Sequence, residues 1–298
     1  MNNPIYLSGK TVSDFLLNGF TSRIKKLKER KYVPGLAVIL IGNHVASKLY
    51  VKSKTRIFKR LELYTETFNF LENVSENDII NKIKQINENI LFHGILVQLP
   101  LPKHINQSKI INCIDPKKDV DGFHPFNTGL LSIGEPSFIP CTPKGIIKIL
   151  DHYNINLLGK NIVVIGRSNI VGRPISILTT LKKNGLNGTT TLCHSGTPNI
   201  IDYTKNADII ILAIGKPKFL KANMVKKGSV VIDVGINRIE ADNSKGYSIV
   251  GDADLENLGN KVSAITPVPG GVGLMTIAML VDNTIESAEK YCARSSVG

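Results

Sequence analysis

Val163-Val164-Ile165-Gly166-Arg167-Ser168-Asn169-Ile170-Val171-Gly172-Arg173-Pro174 is the stretch on which the fold turns. An apolar run ends on a glycine, and a helical pattern starts again at Val171. Strand, glycine turn and helix in that order open a βαβ unit. There the helix N-terminus presents unpaired N–H groups to a pyrophosphate, and glycine lets the backbone come close to it. The match to G-x-G-x-x-G is partial: Ser168 stands at the second glycine, and Gly172 comes one residue late. Taken alone, an ordinary βα turn with a helpful glycine reads the same way.

The next strand, residues 189–193, ends in His194-Ser195-Gly196-Thr197. An NAD site places a carboxylate about 20 positions on, where it takes the ribose 2′-hydroxyl. None stands here, and a carboxylate would repel a 2′-phosphate. Ser195 can donate a hydrogen bond, and Arg167 or Arg173 can supply a charge-assisted one. The expected nucleotide is therefore NADP.

Outward from this centre the same alternation continues. Residues 161–165, 208–214 and 229–234 read as buried strands, and 171–183 as a helix. The loop Thr266-Pro267-Val268-Pro269-Gly270-Gly271-Val272-Gly273 precedes a last helix over 275–291. Toward the N-terminus, 8–31 carries apolar residues at helical spacing, 36–41 is a continuous apolar run, and 45–61 is helical again. Residues 66–71 and 94–99 read as strands. Ser75-Glu76-Asn77-Asp78 is a capping-box pattern opening a helix to about residue 90. Residues 115–143, rich in Pro, Gly and Asp, read as an irregular functional loop leading to a domain boundary near Pro140. The class is α/β with parallel sheets covered on both faces, and 298 residues suggest about two domains.

The formal net charge is +13, from 37 basic and 24 acidic side chains. The basic residues are scattered, and the cluster Lys25, Lys26 and Lys28 reads as the solvated face of a helix. With no nucleic-acid recognition motif, the charge fits a small polyanionic ligand better than a nucleic acid. Cys113, Cys141, Cys193 and Cys292 form no C-x-x-C pair and no cluster with histidine, so no metal site is expected. Scattered thiols, no signal pattern in residues 1–10 and no apolar run of membrane-spanning length lead to a cytoplasmic expectation, without a membrane partner.

The helix over 45–61 carries Ser47, Tyr50 and Lys54 on one face, at spacings of three and four. Gln98 falls at the C-terminal end of a strand, where open α/β sheets bind ligands. Asp119 and Asp121 share a loop with no evident structural need for two carboxylates. The Pro/Gly loop can lay backbone N–H and C=O groups along a flat ligand. Each feature alone has an ordinary structural explanation, such as a tyrosine at a core edge beside a solvated lysine.

Together they resemble the bifunctional methylenetetrahydrofolate dehydrogenase/cyclohydrolase family. The resemblance rests on Tyr50-Val51-x-x-Lys54, Gln98-Leu99-Pro100-Leu101-Pro102, Lys118-Asp119-Val120-Asp121-Gly122-Phe123, Gly166-Arg167-Ser168-x-Ile170-Val171-Gly172-x-Pro174, Asp233-Val234-Gly235-Ile236-Asn237 and the Pro/Gly loop, in order along nearly the whole chain. It implies a folate-binding catalytic domain, residues 1–139, with a closing helix, 274–298, packed back on it. It also implies a Rossmann-like NADP-binding domain, 140–273, a cleft between the two, and a homodimer formed through the second. Two activities are implied: oxidation of 5,10-methylenetetrahydrofolate by NADP, and hydrolysis of the 5,10-methenyl cation to 10-formyltetrahydrofolate.

The resemblance assigns catalysis to Lys54, orientation of the folate to Tyr50, support of Lys54 to Gln98, and the pterin to Asp121. Ser47, Pro269, Gly270 and Gly271 complete its folate site. Gly166, Arg167, Ser168, Ile170, Gly172, Arg173, His194, Ser195 and Ile236 form its NADP site. The chemistry is consistent with this, since water attack on the cation benefits from a general base, and a buried lysine can lose its charge.

Two positions depart from the family pattern. Leu274 replaces the usual proline, which is expected to loosen the loop. Gly196 replaces a residue that is often basic, which weakens the expected NADP preference. Short-chain dehydrogenases also use Tyr-x-x-x-Lys, but there the pair follows the glycine loop, and here it precedes it. Gln98 and the Pro/Gly loop argue against a two-domain dehydrogenase of the shikimate type.

Overall fold

The computed structural model describes residues 3–244 and 246–295. Its strands are β1 (Ile5–Tyr6), β2 (Gly35–Ile41), β3 (Tyr64–Phe70), β4 (Gly94–Val97), β5 (Asn161–Ile165), β6 (Thr189–Cys193), β7 (Ile209–Leu212), β8 (Val230–Asp233), β9 (Asn237–Glu240), β10 (Tyr247–Val250) and β11 (Ala264–Ile265). Its α-helices are α1 (Gly9–Glu29), α2 (Val45–Arg60), α3 (Glu76–Glu88), α4 (Gln107–Asn112), α5 (Pro125–Ser132), α6 (Cys141–His152), α7 (Gly172–Thr180), α8 (Ile200–Thr204), α9 (Leu255–Leu258) and α10 (Val272–Arg294). The chain divides into two compact units, one of Leu16–Cys141 with Ile277–Gly298, the other of Met1–Phe15 with Thr142–Thr276.

The first unit is built on a three-stranded parallel sheet in the order β3-β2-β4. The central strand β2 is paired on both edges, and every one of its residues, pointing to either face of the sheet, is buried. That is why its sequence is continuously apolar rather than alternating. The edge strand β3 is much more exposed. The expected cap of α3 is present, with Ser75 Oγ accepting from Asp78 N at 3.2 Å. Ile79, Ile83 and Ile86 of α3 pack against Ala37, Ile39, Ile95 and Val97 in one core. Residues of α10 belong to this unit as well: Ser287 Oγ donates to His93 O at 2.6 Å, and Arg23 pairs with Asp282 and Glu289.

The second unit carries a six-stranded, all-parallel sheet in the order β1-β11-β8-β7-β5-β6. From β5 the chain goes first to β6 on one side, then to β7 on the other. The C-terminal ends of β5 and β7 therefore flank the point where strand order reverses, which is where doubly wound sheets take ligands. The residues meeting there come from different turns: a Cβ on Gly166 would overlap the carbonyl of Ala213. Val163, Ile165, Ile210, Leu212 and Val231 form the core beneath.

Several expectations change. Residues 115–143 are not irregular throughout, since α5 occupies Pro125–Ser132 and α6 begins at Cys141. Pro125 sits at the start of α5, where a missing N–H costs nothing, and His124 Nδ1 accepts from Phe126 N at 3.1 Å as the cap. An antiparallel hairpin of β9 and β10 interrupts the otherwise parallel pattern. Residues 3–15, expected with 1–139, group in space with 142–276.

Candidate active site

Helix α2 turns three sequence-singled residues to one side. Its N-terminus is capped by His44, whose Nδ1 accepts from Ser47 N at 3.4 Å and lies 3.2 Å from Ser47 Oγ. One turn on comes Tyr50, and one more turn brings Lys54, only 4% exposed. The Lys54 Nζ stands over the Tyr50 ring, 4.5 Å from its centroid. It donates to Gln98 Oε1 at 3.2 Å. Gln98 follows β4 directly, and its Nε2 donates to Leu99 O at 2.8 Å, which leaves the amide oxygen facing the lysine. The Leu99–Pro100 peptide is cis.

Asp121 faces the same lysine. Burial pushes its carboxyl up to about 6, with the Lys54 charge opposing and Asp119 adding to the rise. Burial likewise pulls the Lys54 ammonium below the ordinary lysine range, against Asp121 and the Cys141 thiol. Burial thus moves both groups toward their neutral forms. Cys141 Sγ lies 3.5 Å from both Asp121 Oδ1 and Val120 O.

Two residues hold the Asp121 loop in place, Asp119, whose part the sequence left open, and Asn283, which sequence reasoning missed. Asp119, 1% exposed, accepts from Phe123 N at 3.2 Å, His124 N at 2.8 Å and Asn127 Nδ2 at 2.8 Å. It shapes the loop and has the structural role that was not evident from its sequence. Asn283 on α10, fully buried, donates to Val120 O at 2.7 Å and Ile139 O at 3.0 Å. Asp119 carried a signal in the paired carboxylates. Asn283 carried none, because its partners are far away in the chain.

The second unit holds the other expected set. Gly166 has φ +116°, a conformation that favours glycine, and a Cβ on Gly172 would overlap the carbonyl of Gly166. At the position of the missing second glycine, Ser168 Oγ accepts from Val171 N at 3.2 Å and Gly172 N at 3.4 Å, at the start of α7. Arg167 and Arg173 are exposed, and among the described residues neither pairs with a carboxylate. Ser195 is exposed beside a tight turn in which Gly196 N donates to His194 Nδ1 at 3.0 Å. A Cβ on Gly196 would lie 3.2 Å from the His194 ring, so the absent basic side chain leaves room for this imidazole. Ile170 and Ile236 are exposed apolar residues at loop mouths, 39% and 64%. A backbone cradle closed to any Cβ, a helix N-terminus and two uncommitted arginines fit a dinucleotide bearing a 2′-phosphate.

Pro269, Gly270 and Gly271 belong to this second unit, after a cis Val268–Pro269 peptide, with Gly270 at φ +104°. Lys10 N donates to Gly270 O at 3.2 Å, and a Cβ on Gly9 would overlap the Gly271 carbonyl. Leu274 lies in the first turn of α10, and its N–H, which proline would lack, donates to Gly271 O at 3.3 Å. The structure therefore brings Ser47, Tyr50, Lys54, Gln98 and Asp121 together in one unit, and the nucleotide set with the Pro/Gly loop in the other. Among the described residues no group of acidic, His or Cys side chains is arranged to hold a metal, and no helix is long and apolar enough to cross a membrane.

Residues 7–121 match the catalytic domain of tetrahydrofolate dehydrogenase/cyclohydrolase, and residues 140–292 match its NAD(P)-binding domain. The chain belongs to this family. Among tetrahydrofolate dehydrogenase/cyclohydrolase relatives, the bifunctional protein FolD of Chloroherpeton thalassium is 48% identical, over 97% of this chain and 100% of that one. The bifunctional FolD enzyme of Campylobacter jejuni, methylenetetrahydrofolate dehydrogenase/cyclohydrolase, superposes with a TM-score of 0.91 at 44% identity, over 96% and 99% of the two chains. The Trypanosoma brucei dehydrogenase-cyclohydrolase, solved with NADP cofactor and an inhibitor, gives 0.92 at 32% identity, over 98% and 99%.

Proposed function

We propose that this chain oxidises 5,10-methylenetetrahydrofolate with NADP and hydrolyses the resulting 5,10-methenyl cation to 10-formyltetrahydrofolate. The observation that carries the reading is the buried Lys54, held by Gln98 and Tyr50 and facing Asp121, in a chain of this family. NADP, when bound, supplies the hydride acceptor for the first step. The methenyl product is a cation shared by two nitrogens, so loss of hydride needs no strong base. The second step, attack by water, benefits from a general base. Lys54, with its amine displaced toward neutrality, takes a proton from water as the oxygen bonds to the cationic carbon. Return of that proton to N5 as its bond to the carbon breaks, with the proton of the new hydroxyl released to solvent, leaves the formyl group on N10. Gln98 keeps the amine aimed, and Tyr50 offers a face to the folate ring. Asp121 takes the paired donors of the 2-amino-4-oxopterin edge, with Ser47 and the Pro269–Gly271 backbone completing the folate site.

In this reading Gly166, Ser168 and Gly172 receive the pyrophosphate, Arg167, Arg173 and Ser195 the 2′-phosphate, and His194, Ile170 and Ile236 the rest of the nucleotide. The working form is a homodimer in the cytoplasm, with tetrahydrofolate derivatives as its small-molecule partners and neither nucleic acid nor membrane. The family pattern supports this, and sedimentation of the purified chain tests the dimer. The enzymatic test is a spectrophotometric one, with 5,10-methylenetetrahydrofolate and either NADP or NAD, reading reduced cofactor and the methenyl chromophore separately. The reading expects faster reduction of NADP with little methenyl accumulating. Equal rates with NAD would defeat the 2′-phosphate argument, and accumulating methenyl would defeat the hydrolase assignment.

A further inference from the structure

One carboxylate in the nucleotide-binding unit is committed entirely to loops at the strand-reversal point. Asp252, fully buried, follows β10. Its Oδ2 accepts from Ile214 N at 2.8 Å and Gly215 N at 3.0 Å, and its Oδ1 accepts from Lys216 N at 2.9 Å and Asn237 Nδ2 at 2.9 Å. Among the described residues no cation pairs with it. Four converging donors need the four lone-pair sites of a carboxylate, since an amide can accept only at its oxygen.

Asp233, at the end of β8, secures this carboxylate in turn. It accepts from Gly235 N at 2.9 Å, Asp252 N at 3.0 Å and Ala253 N at 2.7 Å. Gly235 and Gly251 are both required for the fit, because a Cβ on the first would overlap the Asp252 carboxylate and one on the second that of Asp233. The loop so gripped follows β7 and touches the Gly166 turn through Ala213. The same carboxylate reaches Asn237, next to the exposed Ile236. The pyrophosphate end of the site lies at Gly166 and α7, and the 2′-phosphate end lies on the β6 side. A dinucleotide crossing the reversal point must send its other end toward β7 and β8.

We propose that Asp252 is a positioning residue for NADP, setting the 214–216 loop and the 235–237 segment in the shape that receives the nicotinamide end. The proposal rests on the NADP reading above. The test is calorimetric titration of NADP into the full chain, wild type against Asp252→Asn and Asn237→Ala. The thermal unfolding midpoint reports folding of the unit that holds Asp252, and the cyclohydrolase rate, which consumes no nucleotide, reports the unit that holds Lys54. Asp252→Asn keeps the volume but loses acceptors and charge, and is expected to raise the Kd for NADP about tenfold, with faster amide exchange at Ile214, Gly215 and Lys216. Asn237→Ala, which removes one donor, is expected to raise it about threefold. An Asp252→Asn protein that keeps its cyclohydrolase rate and binds NADP within about twofold of wild type overturns the proposal. Should that variant lose its unfolding transition or its cyclohydrolase rate, unchanged binding by Asn237→Ala overturns it instead. A wild-type chain that takes up no NADP removes the nucleotide reading itself, which separates that failure from failure of the Asp252 assignment.

Discussion

At the scale of single residues the chemistry concentrates on Lys54. Replacing it with methionine preserves bulk and removes the amine, so the cyclohydrolase rate is expected to fall at least about a hundredfold. NADP binding, which belongs to the other unit, should stay unchanged in calorimetry. A near-normal cyclohydrolase rate would move the base elsewhere. The Asp121 carboxylate holds the Lys54 pKa up, while burial pulls it down more strongly. Asp121→Asn should therefore let the Lys54 pKa drop further. The rising limb of the cyclohydrolase pH–rate profile, measured at saturating folate, should shift to lower pH, alongside a higher folate KM. A limb that stays in place or moves upward would mean that Lys54 does not control it.

At the scale of elements, a serine hydroxyl ties down the turn at the start of α7. Ser168 accepts two backbone N–H groups that would otherwise be unpaired. Ser168→Ala should cost about 1 kcal/mol of stability in a denaturant titration and weaken NADP binding. An unchanged midpoint would show that water serves those donors equally well. The sequence pattern located β5 and β6 to the residue, because a buried parallel strand bounded by turns is a strong local signal. It failed at α5, whose eight residues include a glycine and a threonine and expose Phe126. That helix is held by its N-cap and by the Asp119–Asn127 bond, and neither leaves a periodic trace.

At the scale of the whole molecule, buried titratable groups make stability depend on pH. His93 is 4% exposed, with Nδ1 accepting from Gly35 N at 3.1 Å and its ring edge-on to Tyr291. Burial, with Lys118 adding, lowers its pKa to about 4. Between that value and the ordinary histidine range the unfolded chain binds a proton that the folded chain refuses. This contribution is complete above the ordinary range and is lost as pH falls through the window. Asp121 and Asp233, both raised to about 6, act with the opposite sign: their contribution is present at low pH and is lost as pH rises through about 6. Comparing wild type with His93→Asn isolates the histidine. The stability gap between the two should narrow from pH 7 to pH 4 by up to about 3 kcal/mol. A gap that does not change with pH would show that the imidazole titrates normally in the fold.

The sequence by itself determined the α/β class, the strand that carries the nucleotide turn, and the identity of Lys54, Gln98, Asp121, Gly166 and Ser168 as residues to watch. Each of these is local information: an apolar run, a glycine at a turn, a helical spacing. Only the tertiary structure decided what those residues do to one another. The depression of Lys54 and the elevation of Asp121 arise from burial and mutual charge, which need α2, β4 and the 119–122 loop to converge. Asn283 and Asp252 hold the two sites from positions far along the chain. A hydrogen bond across such separations costs loop-closure entropy that only the packed core repays, so no short stretch of sequence contains it.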